Sequence, residues 1–454
     1  HNPDGIGVSP SLVHLIAQGA PAELDDTALA VFLRLGFFLG EDTPFASIRA
    51  LPPAATLRWT EGRLSVSGVP VRLPHRALSR AEAVDAYIAL FRQAMRRRPS
   101  SEAPDVLPLS GGRDSRHILF ELCAAGRKPA RCLTVRHFPP RADEDVRVAA
   151  TLARALDIPQ EILDQPTSRL QAECRKNLRT NFCADEHTQF LVLADALRGC
   201  AGVVHDGIGG DILSAGLMLD EREIEFAAAG RFTEWAEAIL ETRCNPLPQE
   251  AELSRLLPAP LYRRFSRERA GARVQEELYR HREAPNPGGQ FYFWNRTRRE
   301  VALAPYGLLG REVTVFSPYL DHDLYDLLAS LPAEALLDCG LHTQAIARAY
   351  PEYAHIPYEK PYAQDWASRR SRRFFRRWTG ETMRALARQA SGLVRRATLL
   401  PELAGSLLTG GGSIACIGPL TLYLLQLESV STPAGARSAL ESDEDSAPSA
   451  PDAG

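Results

Sequence analysis

Apolar residues recur at helical spacing through Leu24–Leu35, and Asp25-Asp26 at its start supplies the acidic opening that a helix N-terminus favours. A turn region rich in glycine and proline follows, with short strands expected around Thr56–Trp59 and Leu64–Val66. The proline-rich stretch Val69–Pro74 reads as a connector into a helix over Arg80–Arg97. From there strand and helix signals alternate: strand 106–109, helix 115–125, strand 131–136, helix 143–156, helix 186–198 and strand 202–205. That alternation predicts an α/β fold, a parallel sheet with crossover helices on its faces. Residues from about 218 to 400 read as mostly helical with basic loops. The segment 430–454, built of Ser, Ala, Pro, Glu and Asp with almost no large apolar side chains, reads as a disordered tail. The longest strongly apolar stretch, Ile414–Leu427, contains Pro419 and falls short of the roughly 20 residues that span a bilayer. It predicts a buried helix and no membrane partner.

Composition narrows the class. A chain of 454 residues, 45% hydrophobic and 24% charged, is that of a soluble globular protein of two or three domains. Segments 1–70, 71–428 and 429–454 are the expected divisions. A net charge of -3 argues against a nucleic-acid partner, and the arginine clusters Arg96–Arg98 and Arg369–Arg377 read as solvated helix faces. Eight cysteines without a Cys-x-x-Cys pair argue against zinc, iron–sulfur and disulfide frameworks. Reduced thiols and a cytoplasmic location are the default, and no signal peptide is evident. Because the chain starts at His1, upstream sequence is expected to have been lost or processed.

The chemistry concentrates in Leu109-Ser110-Gly111-Gly112-Arg113-Asp114-Ser115-Arg116, which follows an apolar segment and opens a helical pattern at Ile118, Leu119 and Leu122. A glycine-rich turn between strand and helix offers backbone N–H groups and a helix N-terminus to an anion. The Ser110 and Ser115 hydroxyls are expected to point inward, and Asp114 can hold a divalent cation. The natural occupant is a polyphosphate with magnesium; the bland alternative is a flexible turn. No lysine follows the second glycine, which separates the loop from that of kinases and GTPases. It resembles the Ser-Gly-Gly-x-Asp-Ser pyrophosphate loop of the ATP pyrophosphatases.

A second glycine-rich loop, His205-Asp206-Gly207-Ile208-Gly209-Gly210-Asp211, follows a later strand, so parallel strands would bring Asp211 opposite Asp114. Together with Thr134-Val135-Arg136, Asp143-Glu144, Ser317–Asp323 and Ile356–Tyr362, it makes most of residues 24–428 resemble the asparagine synthetase C-terminal domain. The resemblance implies an adenine-nucleotide α-hydrolase-like five-stranded parallel sheet and a helical C-terminal part. It also implies ATP bound by Leu109, Ser110, Gly111, Gly112, Asp114, Ser115, Val135 and Gly207, with Mg2+ on Asp114 and Asp211. Lys360 stands where that family has a lysine before a mobile loop, and could neutralise charge on the leaving pyrophosphate; an ordinary exposed lysine is the alternative. Asp143 and Glu144 suit a helix N-terminus, Asp321 a helix N-cap, and His322 the surface.

The sequence also departs from that family. Ile208 stands where asparagine synthetases carry a glutamate and Ile212 where they carry a second one, while Arg113 replaces an apolar residue. Residues Leu24–Leu35, Thr43-Pro44-Phe45, Ile48-Arg49 and Leu51-Pro52-Pro53 resemble the closing segment of the family's α+β glutaminase domain, and the nucleophilic amino-terminal cysteine of that domain does not occur here. The expected reaction is adenylation of a carboxylate with pyrophosphate release, then attack by ammonia or an amine. Asparagine from aspartate is the family default. A tailoring ligase for a peptide or small metabolite and a non-catalytic ATP-binding paralogue are the alternatives. The acceptor is a small-molecule or peptide carboxylate, and the resemblance leaves room for a homodimer.

Overall fold

The Ser11 hydroxyl caps a short helix, α1 (Leu12–Ala17), and the Asp25 carboxylate accepts the N–H groups of Thr27 and Ala28 to start α2 (Asp26–Leu35). Gly36, at φ 79°, ends α2 in the left-handed region where glycine carries no steric penalty. In this computed structural model the described residues are 5–68, 75–98, 105–200, 202–242, 249–360, 364–409 and 414–445. The expected connector Val69–Pro74 lies outside them.

An antiparallel hairpin, β1 (Thr56–Thr60) and β2 (Arg63–Ser67), stands apart from the main sheet. Helix α3 (Arg80–Arg97) begins at a reciprocal Ser79/Glu82 capping box. The α/β part then runs β3 (Val106–Pro108), α4 (Asp114–Ala124), β4 (Arg131–Val135), α5 (Glu144–Ala155), β5 (Gln160–Leu163), α6 (Arg169–Arg179), α7 (Phe190–Leu197), β6 (Val203–His205), α8 (Gly210–Ser214) and β7 (Thr314–Phe316). The five strands are all parallel in the order β5-β4-β3-β6-β7. Strand residues alternate between two apolar clusters. Val106, Leu133, Val135 and Val204 pack with Leu193 and Leu197 of α7 on one face, and Leu107 and Cys132 join the main core with α4 and α5 on the other. Burial on both faces is what an all-parallel sheet requires.

Two strands escaped the sequence pattern: β5 is an edge strand with Gln160 and Glu161, and β7 is three residues long within a helical stretch. The helix expected over 186–198 begins only at Phe190, because His187 takes a φ of 74° that no right-handed helix accommodates. The region beyond 218 is largely helical as expected, and Ile414–Val430 is a helix with Leu424, Leu427 and Val430 fully buried. Among the described residues no helix is long and apolar enough to cross a membrane. The expected disordered tail is corrected in part. Residues Pro433–Asp445 form a helix against α1, with Ala436 buried and Arg437 donating to the Ala17 carbonyl; 446–454 lie outside the described residues. Small side chains make this contact, and a composition average conceals it.

The segment expected to be a domain remnant shares the main core. Helix α2 packs on the helix Arg267–Arg280, Phe32 stacks on Tyr423 at 4.5 Å, and buried Arg34 pairs with Glu250. Leu29→Ala, at a fully buried α2 position, is expected to cost about 2–5 kcal/mol and to shift one cooperative denaturant transition. Two transitions, with only one of them moved, would place α2 in a separate folding unit.

Candidate active site

Strands β4 and β5 extend the sheet from β3 in one direction and β7 extends it from β6 in the other, so a crevice opens beyond the C-terminal ends of β3 and β6. The two glycine-rich loops meet there. Leu109 continues the β3 ladder by donating to the Leu133 carbonyl at 2.8 Å, and the Thr134 hydroxyl donates to the Leu109 carbonyl at 2.8 Å. The chain then turns through Gly111, where a Cβ would lie 2.9 Å from the Val148 Cβ and 3.0 Å from the Glu359 Cβ. Close approach demands glycine here.

Inside the loop the Ser110 N–H donates to the Ser115 hydroxyl at 3.0 Å, the two hydroxyls lie 3.0 Å apart, and the Gly112 N–H donates to Ser110 Oγ at 3.2 Å. The hydroxyls expected to face a ligand are thus engaged with each other and with the backbone, and Ser115 is buried. Arg113, the N-cap of α4, provides no side-chain hydrogen bond to the helix start. The first N–H groups of α4 are therefore presented towards the crevice for an anion.

The second loop presses directly on Asp114. A Cβ on Gly207 would come within 2.6 Å of the Asp114 Cβ, and one on Gly210 within 2.5 Å of its Oδ1. The Asp114 carboxyl feels both the charge and the backbone of Asp211, so the two expected metal ligands are neighbours. Burial first, then the charges of Asp211 and Asp206, push the Asp114 carboxyl well above its ordinary range, against a smaller opposing effect of Arg113. Oδ1 of Asp114 is buried without a hydrogen-bond partner. Behind it, His342 Nδ1 lies 3.0 Å from the Ser214 hydroxyl and 3.4 Å from Asp114 Oδ1, and Nε2 lies 3.3 Å from His117 Nδ1. Burial holds His342 down to about 3 and His117 well below its usual value, so both rings are neutral and leave the carboxylate charge uncompensated.

Asp206 is a third carboxylate of this group, one that reading the sequence did not assign. It accepts the Ile208 N–H at 2.8 Å, and burial lifts its carboxyl to about 6. Asp145 and His187 also escaped the sequence reading, while Arg116, which the sequence left either beside the phosphates or in solvent, takes neither place. Asp145, one position beyond Asp143-Glu144, accepts the Gly111 N–H and holds the first loop to α5. Arg116 is buried, stacks on the Tyr358 ring at 3.9 Å, and donates to the carbonyls of Ile356, Pro357 and Gly111. His187 lines a cavity of about 330 Å³ beyond the ends of β4 and β5. The one available signal was a run of acidic residues in the first turn of a helix facing a glycine loop.

Among the remaining expected residues, Leu109 and Val135 are buried at the strand ends beneath the loop. Lys360 is exposed, and no ion pair is formed by it among the described residues. Its neighbour Glu359 donates its N–H to the Gly111 carbonyl at 3.1 Å, which holds the lysine's backbone beside the first loop. Arg113 turns away from the loop, over Tyr358 and towards the Thr343 hydroxyl. Asp143 pairs with Arg136 and Arg370, and Asp321 caps the helix His322–Ala329 and pairs with Arg97.

The folded protein binds the Asp206 proton more tightly than the unfolded chain does. Its contribution to stability is full below pH 3.8 and is lost as pH rises through about 6. Without divalent cations, the stability gained by Asp206→Asn over wild type is expected to grow by about 2.5 kcal/mol between pH 4 and pH 8 in urea unfolding. A difference that does not change with pH would show that this carboxyl is not held up by its surroundings.

No curated protein matches the sequence. Residues 86–406, well over half of the chain and including both loops, match the asparagine synthase family, and the chain therefore belongs to that family, whose general chemistry is ATP-dependent amide ligation.

Proposed function

We propose that this protein adenylates a carboxylate with ATP, releases pyrophosphate, and passes the acyl group to ammonia or an amine. The observation that carries the reading is the meeting of an uncapped α4 N-terminus with the partly uncompensated carboxylates of Asp114, Asp206 and Asp211 at one pair of strand ends. N–H groups favour phosphate, and crowded carboxylates favour a divalent cation. The orphaned Oδ1 of Asp114 fits that donor set.

In this reading the α4 N-terminus orients the polyphosphate, and Asp114 and Asp211 hold Mg2+, which supplies positive charge to the departing pyrophosphate. The adenosine lies against Leu109, Val135 and Gly207. Lys360, carried beside the loop by Glu359 and by the Arg116 clamp on Ile356 and Pro357, adds its charge where negative charge develops.

Asparagine from aspartate is the family's default product. A second reading, an acceptor of another kind, draws on Ile208 and Ile212: both are buried apolar side chains, so neither presents a polar group to an acceptor. A peptide or small-metabolite carboxylate is then the substrate and the protein a tailoring ligase.

Pyrophosphate release from Mg·ATP with ammonium, measured across aspartate, other amino acids and short peptides, tests both readings. Release with at least one carboxylate is expected, and Asp114→Ala is expected to abolish it. ADP and phosphate as products, or release that is indifferent to Asp114→Ala, would contradict the proposal. Lys360→Ala is expected to lower turnover by about 10²–10³-fold, the usual loss of one charge-stabilising donor, with ATP binding retained in calorimetry. Unchanged turnover would leave Lys360 as an ordinary exposed lysine.

A further inference from the structure

His187 follows Asp185 and Glu186 in the stretch where a helix was expected, and its φ of 74° interrupts that helix. Backbone of this kind at a non-glycine residue costs free energy and is concentrated at functional positions. Its Nδ1 lies 2.9 Å from Glu300 Oε1, and the Glu300 side chain is 1% exposed. Glu300 belongs to a nine-residue π-helical segment, Phe293–Val301, a geometry found mostly at functional sites.

An ionised carboxylate only accepts, so the neutral ring carries its proton on Nδ1 and a lone pair on Nε2. Nε2 makes no hydrogen bond among the described residues, and the ring lines the 330 Å³ cavity at the strand ends. Asp206, at the start of the second loop, lies close enough for its carboxyl to sense the imidazole charge. Ile208, where the resemblance places a glutamate, is two residues further along the same loop.

We propose that His187 is the general base of amide formation, its Nε2 taking the proton of the attacking nitrogen, with Glu300 as the positioning residue that fixes and charges the ring. The inference rests on the amide-ligase reading above. A neutral amine forms the C–N bond at the acyl carbon, and its N–H proton moves to Nε2. The acyl C–O bond then breaks, with its electron pair leaving on the phosphate oxygen of AMP.

The surroundings suit that task. Burial lowers the basicity of His187, but the charge and hydrogen bond of Glu300 and the charge of Glu186 outweigh it and raise the imidazole above its ordinary 6.5. Arg296, from the same π-helical segment, opposes this in part. Asp206 faces the ring from the β6 loop, and Lys176 of α6 donates to the Asp185 carbonyl and adds positive charge near Glu300. Glu186, His187 and Glu300 also place ligand atoms within 4.8 Å of one another. Arg296 lies 3.6 Å from Glu300 and 3.7 Å from Glu186, so a guanidinium already supplies the charge a metal ion would bring.

The test separates the two half-reactions in wild type, His187→Gln and Glu300→Gln, using Mg·ATP, aspartate and the same amino-acid and peptide panel, and ammonium. ATP–pyrophosphate exchange reads adenylation, and amide product reads the second step. His187→Gln is expected to lower amide formation at least 100-fold more than exchange. The wild-type amide rate is expected to rise with pH through a midpoint above 6.5, and Glu300→Gln to move that midpoint down. Nitrogen-15 histidine spectra are expected to show the Nδ1–H form of His187 at high pH. An Nε2–H form, equal losses in both half-reactions, or an unmoved midpoint in Glu300→Gln overturns the base assignment. So does a stoichiometric divalent ion retained by wild type after dialysis and lost in both variants. Wild-type protein that exchanges pyrophosphate with no carboxylate fails at the earlier step, and removes the ligase reading and this proposal together.

Discussion

The crowding of Asp114, Asp206 and Asp211 at the ends of two neighbouring strands is the constraint around which the rest of this structure is arranged. Like charges in a partly dry crevice cannot all ionise unless protons or a cation join them. The two histidines behind Asp114 are buried as neutral rings, so they bring no positive charge to it. Glycine at 207 and 210 is what allows the second loop to press on Asp114 so closely. The proposed ligand, with positive charge at one end and phosphate at the other, would meet both the carboxylates and the uncapped α4 N-terminus.

The first loop is held from several sides at once. Asp145 takes the Gly111 N–H, while Arg116 and the Glu359 N–H both take the Gly111 carbonyl. Arg116 is a buried charge whose two terminal nitrogens donate to three carbonyls and whose plane rests on Tyr358. Hydrogen bonds to a charged group contribute about 1.5–3 kcal/mol each, more than neutral ones. The same side chain therefore rigidifies the phosphate loop and ties to it the segment that leads to Lys360. In the proposed reaction this one guanidinium would link ATP binding to charge neutralisation by Lys360.

The helical elements beyond the sheet supply the third wall. The π-helical segment Phe293–Val301 delivers Glu300 and Arg296 to the crevice, and its Arg299 reaches back to the carbonyls of Gly40 and Asp42 near the amino-terminal helices. Those helices are in turn buried against Arg267–Arg280 and Ile414–Val430. Residues distant in the chain thereby share one core with the site.

Much of this was legible locally. The helix over Arg80–Arg97, the caps at Asp25 and Asp321, the strand-loop-helix around Ser110–Ser115 and the pairing of Asp114 with Asp211 follow from short-range rules: capping, periodicity, and the tendency of parallel strands to collect their ends. Other features depend on contacts that no window of sequence contains. β5 and β7 are strands because their neighbours complete their ladders, and Pro433–Asp445 is ordered because α1 covers its small side chains. The engagement of the Ser110 and Ser115 hydroxyls with each other, the grip of Asp145 and Arg116 on Gly111, and the His187–Glu300 pair joining residues 113 positions apart are likewise products of packing. The sequence by itself determined the fold class, the two glycine-rich loops and their carboxylates, since backbone propensity and loop chemistry are local. Only the tertiary structure decided which charges go uncompensated and which imidazole pairs with a buried glutamate, since burial and electrostatic partnership exist only once distant segments meet.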